Sequence, residues 1–189
     1  MSKIVELAVF QEHLRAYDCE EIVQASIFTG DPYALDAMQY TRLRREIAEK
    51  FNIDHLHIHM VGSGKLGFSI KPSRRYGLFN DQSDIDLAII SPDLFEQVWK
   101  LAYLYNKTGA DWPRKKQFFQ YLSEGWIRPD KFPITSFNPF FEEWWDFFRE
   151  LTMKRQFGDY PIRAGIYQSR FFLEEYQKVC IKQCKEEIE

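Results

Sequence analysis

Two acidic residues, spaced two apart at the start of a short apolar run, constrain this chain more than any other feature. The run reads Ser83-Asp-Ile-Asp-Leu-Ala-Ile-Ile90, and its apolar half predicts a β-strand. Side chains alternate between the two faces of a strand, so Asp84 and Asp86 are predicted to project together. Two like charges that close repel unless a cation lies between them. Because rigidly held carboxylate oxygens suit Mg²⁺ or Mn²⁺, we predict that both aspartates are metal ligands.

A glycine-rich segment precedes the acidic pair. It reads Val61-Gly-Ser-Gly-Lys-Leu-Gly-Phe-Ser69 and follows residues 55–61, whose alternation predicts another strand. Gly62 and Ser63 offer backbone N–H groups and a hydroxyl, which are the groups that commonly hold a phosphate. A tight hairpin turn is the other interpretation, because glycine serves turns.

The Gly-Ser pair followed by the Asp-x-Asp strand resembles the signature of the DNA polymerase β-like nucleotidyltransferase superfamily. The oligoadenylate-synthase-type branch and the bacterial minimal nucleotidyltransferases are especially similar. The resemblance covers roughly residues 53–90, and the gap of twenty residues between the two motifs is longer than the family's usual one. It implies that Asp84 and Asp86 are catalytic and metal-binding. It also implies that Gly62, Ser63 and Lys65 bind the triphosphate of a nucleotide, with Lys65 contributing a point charge.

The activity implied by the resemblance is transfer of an NMP from an NTP to an acceptor hydroxyl that the sequence does not identify, with Mg²⁺ or Mn²⁺ as cofactor. Minimal members of the family often act in toxin–antitoxin or phage-defence systems, so the resemblance implies such a setting. The family's third carboxylate usually lies on a later strand beside the Asp-x-Asp strand. Asp130 and Asp159 are the candidates here, and Asp111 fits less well. The alternative hypothesis is therefore a catalytically inactive nucleotidyltransferase fold that serves as a binding or regulatory subunit.

The pattern along the whole chain predicts an α+β fold, with a small mixed sheet packed by several helices. We predict one domain over residues 1–189, with helical elaborations at both ends of a nucleotidyltransferase-like core. The predicted helices cover residues 3–27, as one helix or as two with a break near Asp18, and residues 32–51, 92–106, 113–124, 139–156 and 169 onward. The predicted strands cover residues 55–61, 83–90 and 161–167.

Charge and composition limit the partners. The net charge of −3 predicts no general attraction to nucleic acid, although the basic loop with Lys71, Arg74 and Arg75 leaves a local phosphate contact open. Three cysteines and an N-terminus without an apolar stretch predict a cytoplasmic protein with reduced thiols. No run reaches the ~20 apolar residues of a membrane span.

An aromatic segment over residues 140–148 carries six aromatic side chains in nine positions. A helix with this composition is apolar around most of its circumference, so it is either buried on several sides or exposes an aromatic face to a protein partner. The sequence leaves both interpretations open.

Overall fold

The computed structural model describes residues 3–133 and 137–188, which contain eight α-helices and four β-strands. The strands are β1 (Ile58–Val61), β2 (Ile85–Ile90), β3 (Trp126–Ile127) and β4 (Ile162–Tyr167). The helices are α1 (Lys3–Ala16), α2 (Cys19–Val23), α3 (Ala37–Phe51), α4 (Gly62–Leu66), α5 (Pro92–Lys107), α6 (Lys115–Ser123), α7 (Pro139–Met153) and α8 (Arg170–Glu186). The predicted α+β class is confirmed. The domain predicted over residues 1–189 includes residues 1, 2, 134–136 and 189, which lie outside the described ranges.

The sheet is mixed, with the strand order β1-β2-β4-β3. β1 runs antiparallel to β2, β2 runs parallel to β4, and β3 runs antiparallel to β4. Parallel neighbours need a long crossover, and the chain between β2 and β4 supplies one that contains α5, α6 and α7. The sheet therefore places β2 in its interior, between the strand that precedes it and the strand that follows the crossover.

The two faces of β2 have different neighbours. One face packs into the main apolar core together with side chains from α3, α5 and α7, and its residues are Ile85, Leu87 and Ile89. On the other face, Ala88 and Ile90 pack with Leu173 of α8. Asp84 and Asp86 lie on that second face, at the start of the strand. The fold therefore buries the apolar end of this face under α8 and leaves its acidic end accessible.

Several helix starts follow their sequence signals. Ser91 accepts a hydrogen bond from the N–H of Leu94 and Pro92 is the first residue of α5, so the predicted start is confirmed. The predicted start at Asp31–Pro32 is wrong, because α3 begins at Ala37. Asp36 caps that helix and forms a capping box with Gln39, which satisfies backbone N–H groups at the helix start. Asp31 lies too early in the chain to reach those N–H groups.

The aromatic helix α7 divides its side chains between the core and the surface. Phe141, Trp144 and Phe148 are buried, whereas Trp145 is 44% exposed. Spacings of three and four residues place the buried three on one face of the helix. Burial therefore explains much of the aromatic content, and Trp145 is the tryptophan of this helix that remains at the surface.

Candidate functional site

Asp84 and Asp86, the two predicted metal ligands, line the same cavity, which has a volume of about 490 Å³. Asp86 is the second residue of β2 and Asp84 immediately precedes the strand. Their side chains are 30% (Asp84) and 33% (Asp86) exposed, while Ile85 between them is fully buried on the core face. The alternation inferred from the sequence therefore brings the two carboxylates together at one place.

The Gly-Ser pair lies beside the aspartates because Val61, at the end of β1, pairs with Asp86. Gly62 has a positive φ of 65°, and a Cβ there would lie 3.5 Å from Asp86 Oδ2. The positive φ favours glycine at this position, whereas the carboxylate would be at ordinary contact distance from a Cβ. Gly62 begins the short helix α4 rather than a hairpin turn, so the hairpin interpretation of this segment is wrong.

The first turn of α4 leaves polar groups available in the cavity. Gly62 and Ser63 line it together with the aspartates. The first N–H groups of a helix have no partner within the helix. Among the described residues, none forms a hydrogen bond with the Ser63 hydroxyl. The cavity thus combines two carboxylates with an N–H and hydroxyl set that suits a phosphate.

Each aspartate forms an ion pair in the structure. Arg163 Nη1 lies 3.1 Å from Asp84 Oδ2, and Lys71 Nζ lies 3.4 Å from Asp86 Oδ2. Both basic side chains are more than half exposed. Exposed pairs of this kind contribute little, about 0–1 kcal/mol, so the two cations do not lock the carboxylates in place.

Of the candidates for a third carboxylate, Asp130 lines the same cavity as Asp84 and Asp86. Lys131 Nζ lies 2.7 Å from its Oδ2, and Arg128 Nε lies 3.1 Å from its Oδ1. Burial acts to raise the pKa of Asp130, but the hydrogen bond from Lys131 and the charge of Arg128 outweigh it and lower the pKa. Asp111 and Asp159 are strongly exposed. In the described ranges, no three His, Cys, Asp or Glu side chains come close enough to share a metal ion.

Basic residues make up much of the cavity's remaining polar lining. They are Lys71 and Arg74 from the loop before β2, Arg128 after β3, and Arg163 in β4. Arg128 also stacks over Trp126, with its Cζ 5.0 Å from the ring centroid. The sequence leaves a phosphate contact open for Lys71 and Arg74, whereas Arg128 and Arg163 are not among the residues it singles out. The alternation of the predicted strand 161–167 could have indicated Arg163, because it places Arg163 on the strand face opposite to its apolar neighbours Ile162 and Ala164.

Lys65, which was predicted to contact phosphate, and Arg75, for which that contact was left open, have structural partners instead. Lys65 Nζ donates hydrogen bonds to the backbone oxygens of Thr29 and Gly30, the first at 2.6 Å. Lys65 is buried and lines a different cavity, so the structure separates it from Gly62 and Ser63. Arg75 Nη1 donates to Gln183 O at 3.0 Å and ties its loop to α8.

The donor set fits a Mg²⁺ ion whose shell is completed by a nucleotide. Mg²⁺ commonly binds through one or two carboxylates together with substrate phosphates and water. Asp84 and Asp86 supply the carboxylates, and Ser63 and the start of α4 face the same cavity. With two acids rather than three, the fit is to a metal–nucleotide complex and not to a metal held by protein ligands alone.

No protein-family model, curated protein or solved structure matches this chain. The functional inference consequently depends on the sequence pattern and on the geometry of the cavity. Within residues 3–133 and 137–188, no helix combines the length and the apolar character needed to cross a membrane.

Proposed function

We propose that the chain is a metal-dependent nucleotidyltransferase that transfers an NMP from an NTP to an acceptor hydroxyl. One observation carries the proposal: Asp84 and Asp86 line a cavity whose wall includes the Gly62–Ser63 turn, and Val61, the residue before that turn, pairs with Asp86. Acidic metal ligands beside a phosphate-binding turn are what the resemblance to the nucleotidyltransferase superfamily implies. The cavity, at about 490 Å³, is within the usual range of small-molecule sites.

Each part of the cavity has a distinct role in this proposal. A bound Mg²⁺ would neutralise phosphate charge and orient the triphosphate. Asp84 and Asp86 would hold the metal–nucleotide complex, and the N–H groups at the start of α4 with the Ser63 hydroxyl would bind phosphate oxygens. Lys71 and Arg163 exchange their carboxylate partners for phosphate. Catalysis then depends on positioning and on charge neutralisation, as in other phosphoryl transfers.

The direct test is turnover. The purified chain is incubated with Mg²⁺ and each of the four α-labelled NTPs, with RNA, protein and small hydroxyl compounds offered as acceptors. Release of pyrophosphate together with a labelled product supports the proposal. Tight Mg²⁺-dependent NTP binding without pyrophosphate release from any NTP and acceptor would favour a binding subunit instead.

Substitution of Ser63 tests the role of the turn. Backbone donors and one hydroxyl do not distinguish bases, so Ser63→Ala is expected to weaken ATP and GTP equally, by about 1 kcal/mol or somewhat more for a charged acceptor. Ser69→Ala is a matched control, because Ser69 also lines the cavity but lies outside the Gly-Ser turn. Equilibrium binding of both nucleotides measures the effect. A large loss for one nucleotide only would make the turn a base-reading element.

A second candidate function, the inactive binding subunit, is favoured by the residue opposite Asp86. β4 borders β2 on the side away from β1, and Arg163 is the residue of β4 that pairs with Asp86. The resembled family usually carries its third carboxylate on a later strand beside the Asp-x-Asp strand. A cation at this place would assist anion binding but would not accept a proton from an attacking hydroxyl.

Arg163→Gln tests the metal position without measuring activity. Removing the guanidinium frees Asp84 and removes a positive charge beside the two carboxylates. Mn²⁺ is therefore expected to bind weakly to the chain without nucleotide, and about fivefold more tightly to the variant. Arg155→Gln is the control, since Arg155 pairs with Asp159 outside this cavity. Titration followed by electron paramagnetic resonance measures free Mn²⁺. Mn²⁺ binding that is unchanged in the variant would argue against a metal at Asp84 and Asp86 in either hypothesis.

A further inference from the structure

A second cavity, of about 320 Å³, lies beside β1 and shares no lining residue with the cavity of Asp84 and Asp86. Its wall is formed by α3, by the start of the loop before α3, and by a π-helical turn over Gln24–Phe28. Single π-helical turns are rare and occur frequently at functional sites. The polar side chains in this wall include Arg44, His59 and Lys65.

Arg44 is the unusual group in this cavity. Its Nε is buried without a hydrogen-bond partner, and its guanidinium lies over the ring of Tyr40, with Cζ 4.5 Å from the ring centroid. Among the described residues, no carboxylate forms an ion pair with Arg44. Buried charged groups normally have a counter-charge, because desolvation without one is costly. Arg44 as a whole is partly exposed, but its buried Nε lacks a partner and its side chain borders the cavity, so an anionic ligand there would supply the missing counter-charge.

The charges around His59 also favour an anionic ligand. Burial, followed by the positive charges of Arg170, Arg44, His57 and Lys65, lowers the pKa of His59 to about 4. The acidic residue in this wall is Asp31, whose charge acts on Lys65. Among the described residues in the wall of this cavity, Arg44 and Lys65 carry positive charge against the single carboxylate of Asp31, so the charged side chains of the lining sum to a positive charge.

We propose that this second cavity binds the phosphate group of a small anion, with Arg44 as the main contact and His59 and Lys65 as supporting groups. An arginine fork matches two phosphate oxygens, and Lys65 keeps one N–H that Thr29 and Gly30 do not use. The volume is near the lower end of the range for small-ligand sites, so the ligand is inorganic phosphate or a small phosphate monoester. This proposal does not depend on the nucleotidyltransferase proposal.

The test follows the His59 imidazole by NMR between pH 3 and 7, at constant ionic strength, with chloride, inorganic phosphate or glycerol phosphate. A phosphate group next to His59 favours its protonated form, so the pKa of His59 is expected to rise by about one pH unit or more. Arg44→Gln is expected to weaken phosphate binding by about tenfold or more, because the fork is lost. A stronger response to glycerol phosphate than to inorganic phosphate would identify the monoester as the ligand.

Arg45→Gln is the matched control, because Arg45 is the next residue of the same helix and is exposed. It should bind phosphate as the unmodified chain does. If Arg44→Gln does not fold, Arg44→Lys keeps the charge over Tyr40 but not the fork, and it should also bind more weakly. The proposal is overturned if neither phosphate compound changes the His59 titration, or if the Arg44 variant that folds binds phosphate with unchanged affinity.

Discussion

Replacing both Asp84 and Asp86 by asparagine is expected to abolish Mg²⁺-dependent NTP binding and any turnover. Asparagine keeps the size of the side chain but removes the charge that a hard cation requires. The fold should be nearly unaffected. Relief of the repulsion between the carboxylates offsets the loss of two exposed ion pairs, with Arg163 and Lys71, that are worth about 0–1 kcal/mol each. The melting temperature should therefore change little.

The measurement is NTP affinity with Mg²⁺ and with a chelator present, for the unmodified chain and for the double variant. Asp159→Asn is the control, since it removes one exposed acid that pairs with Arg155 and lies outside the cavity. If the double variant bound NTP with the affinity of the unmodified chain, with and without Mg²⁺, the assignment of these aspartates to a metal would be wrong.

The second large effect is expected at Trp144. Its indole is 1% exposed and packs against Phe51 and Phe148, with ring centroids 4.8 and 4.9 Å apart. Trp144→Ala leaves a cavity in the main core, and large-to-small changes of this kind cost about 3–5 kcal/mol. We expect the melting temperature to fall by roughly 10 °C. Calorimetry or denaturant unfolding measures the loss.

Trp145→Ala is the matched control on the same helix. Trp145 is 44% exposed, so its removal should change the free energy of unfolding by no more than about 0.5 kcal/mol. Comparable losses for the two variants would contradict the packing described for α7.

Sedimentation of the same variants addresses the partner hypothesis. If α7 presents a partner surface, the unmodified chain should associate and Trp145→Ala should weaken that association, since exposed tryptophans often anchor interfaces.

The central part of the site follows from local sequence rules. A two-residue alternation is enough to place Asp84 and Asp86 on one face, because the period of a strand is fixed by its backbone. The apolar residues after them identify β2, and the Gly-Ser pair marks the end of β1. The start of α5 could likewise be predicted, because Ser91 and Pro92 are local signals whose effect does not depend on distant parts of the chain.

What could not be predicted depends on contacts between distant segments. The partners of Lys65 are the backbone oxygens of Thr29 and Gly30, and a backbone acceptor leaves no trace in the sequence. Arg163 reaches Asp84 only because the crossover returns β4 to the edge of β2. The helix predicted over residues 32–51 begins only at Ala37, because the backbone N–H groups of Tyr33 and Ala34 donate to the carbonyls of Lys65 and Gly64, which are distant in the chain.

A crystal structure with Mn²⁺ and a non-hydrolysable NTP analogue tests the nucleotidyltransferase site most directly, because anomalous scattering locates the metal. We expect Mn²⁺ between the carboxylates of Asp84 and Asp86, and the phosphate chain against Gly62 and Ser63. Arg163 should then have left Asp84. A metal–nucleotide complex bound elsewhere on the chain, with the Asp84–Arg163 pair intact, would show that these aspartates do not form the metal site.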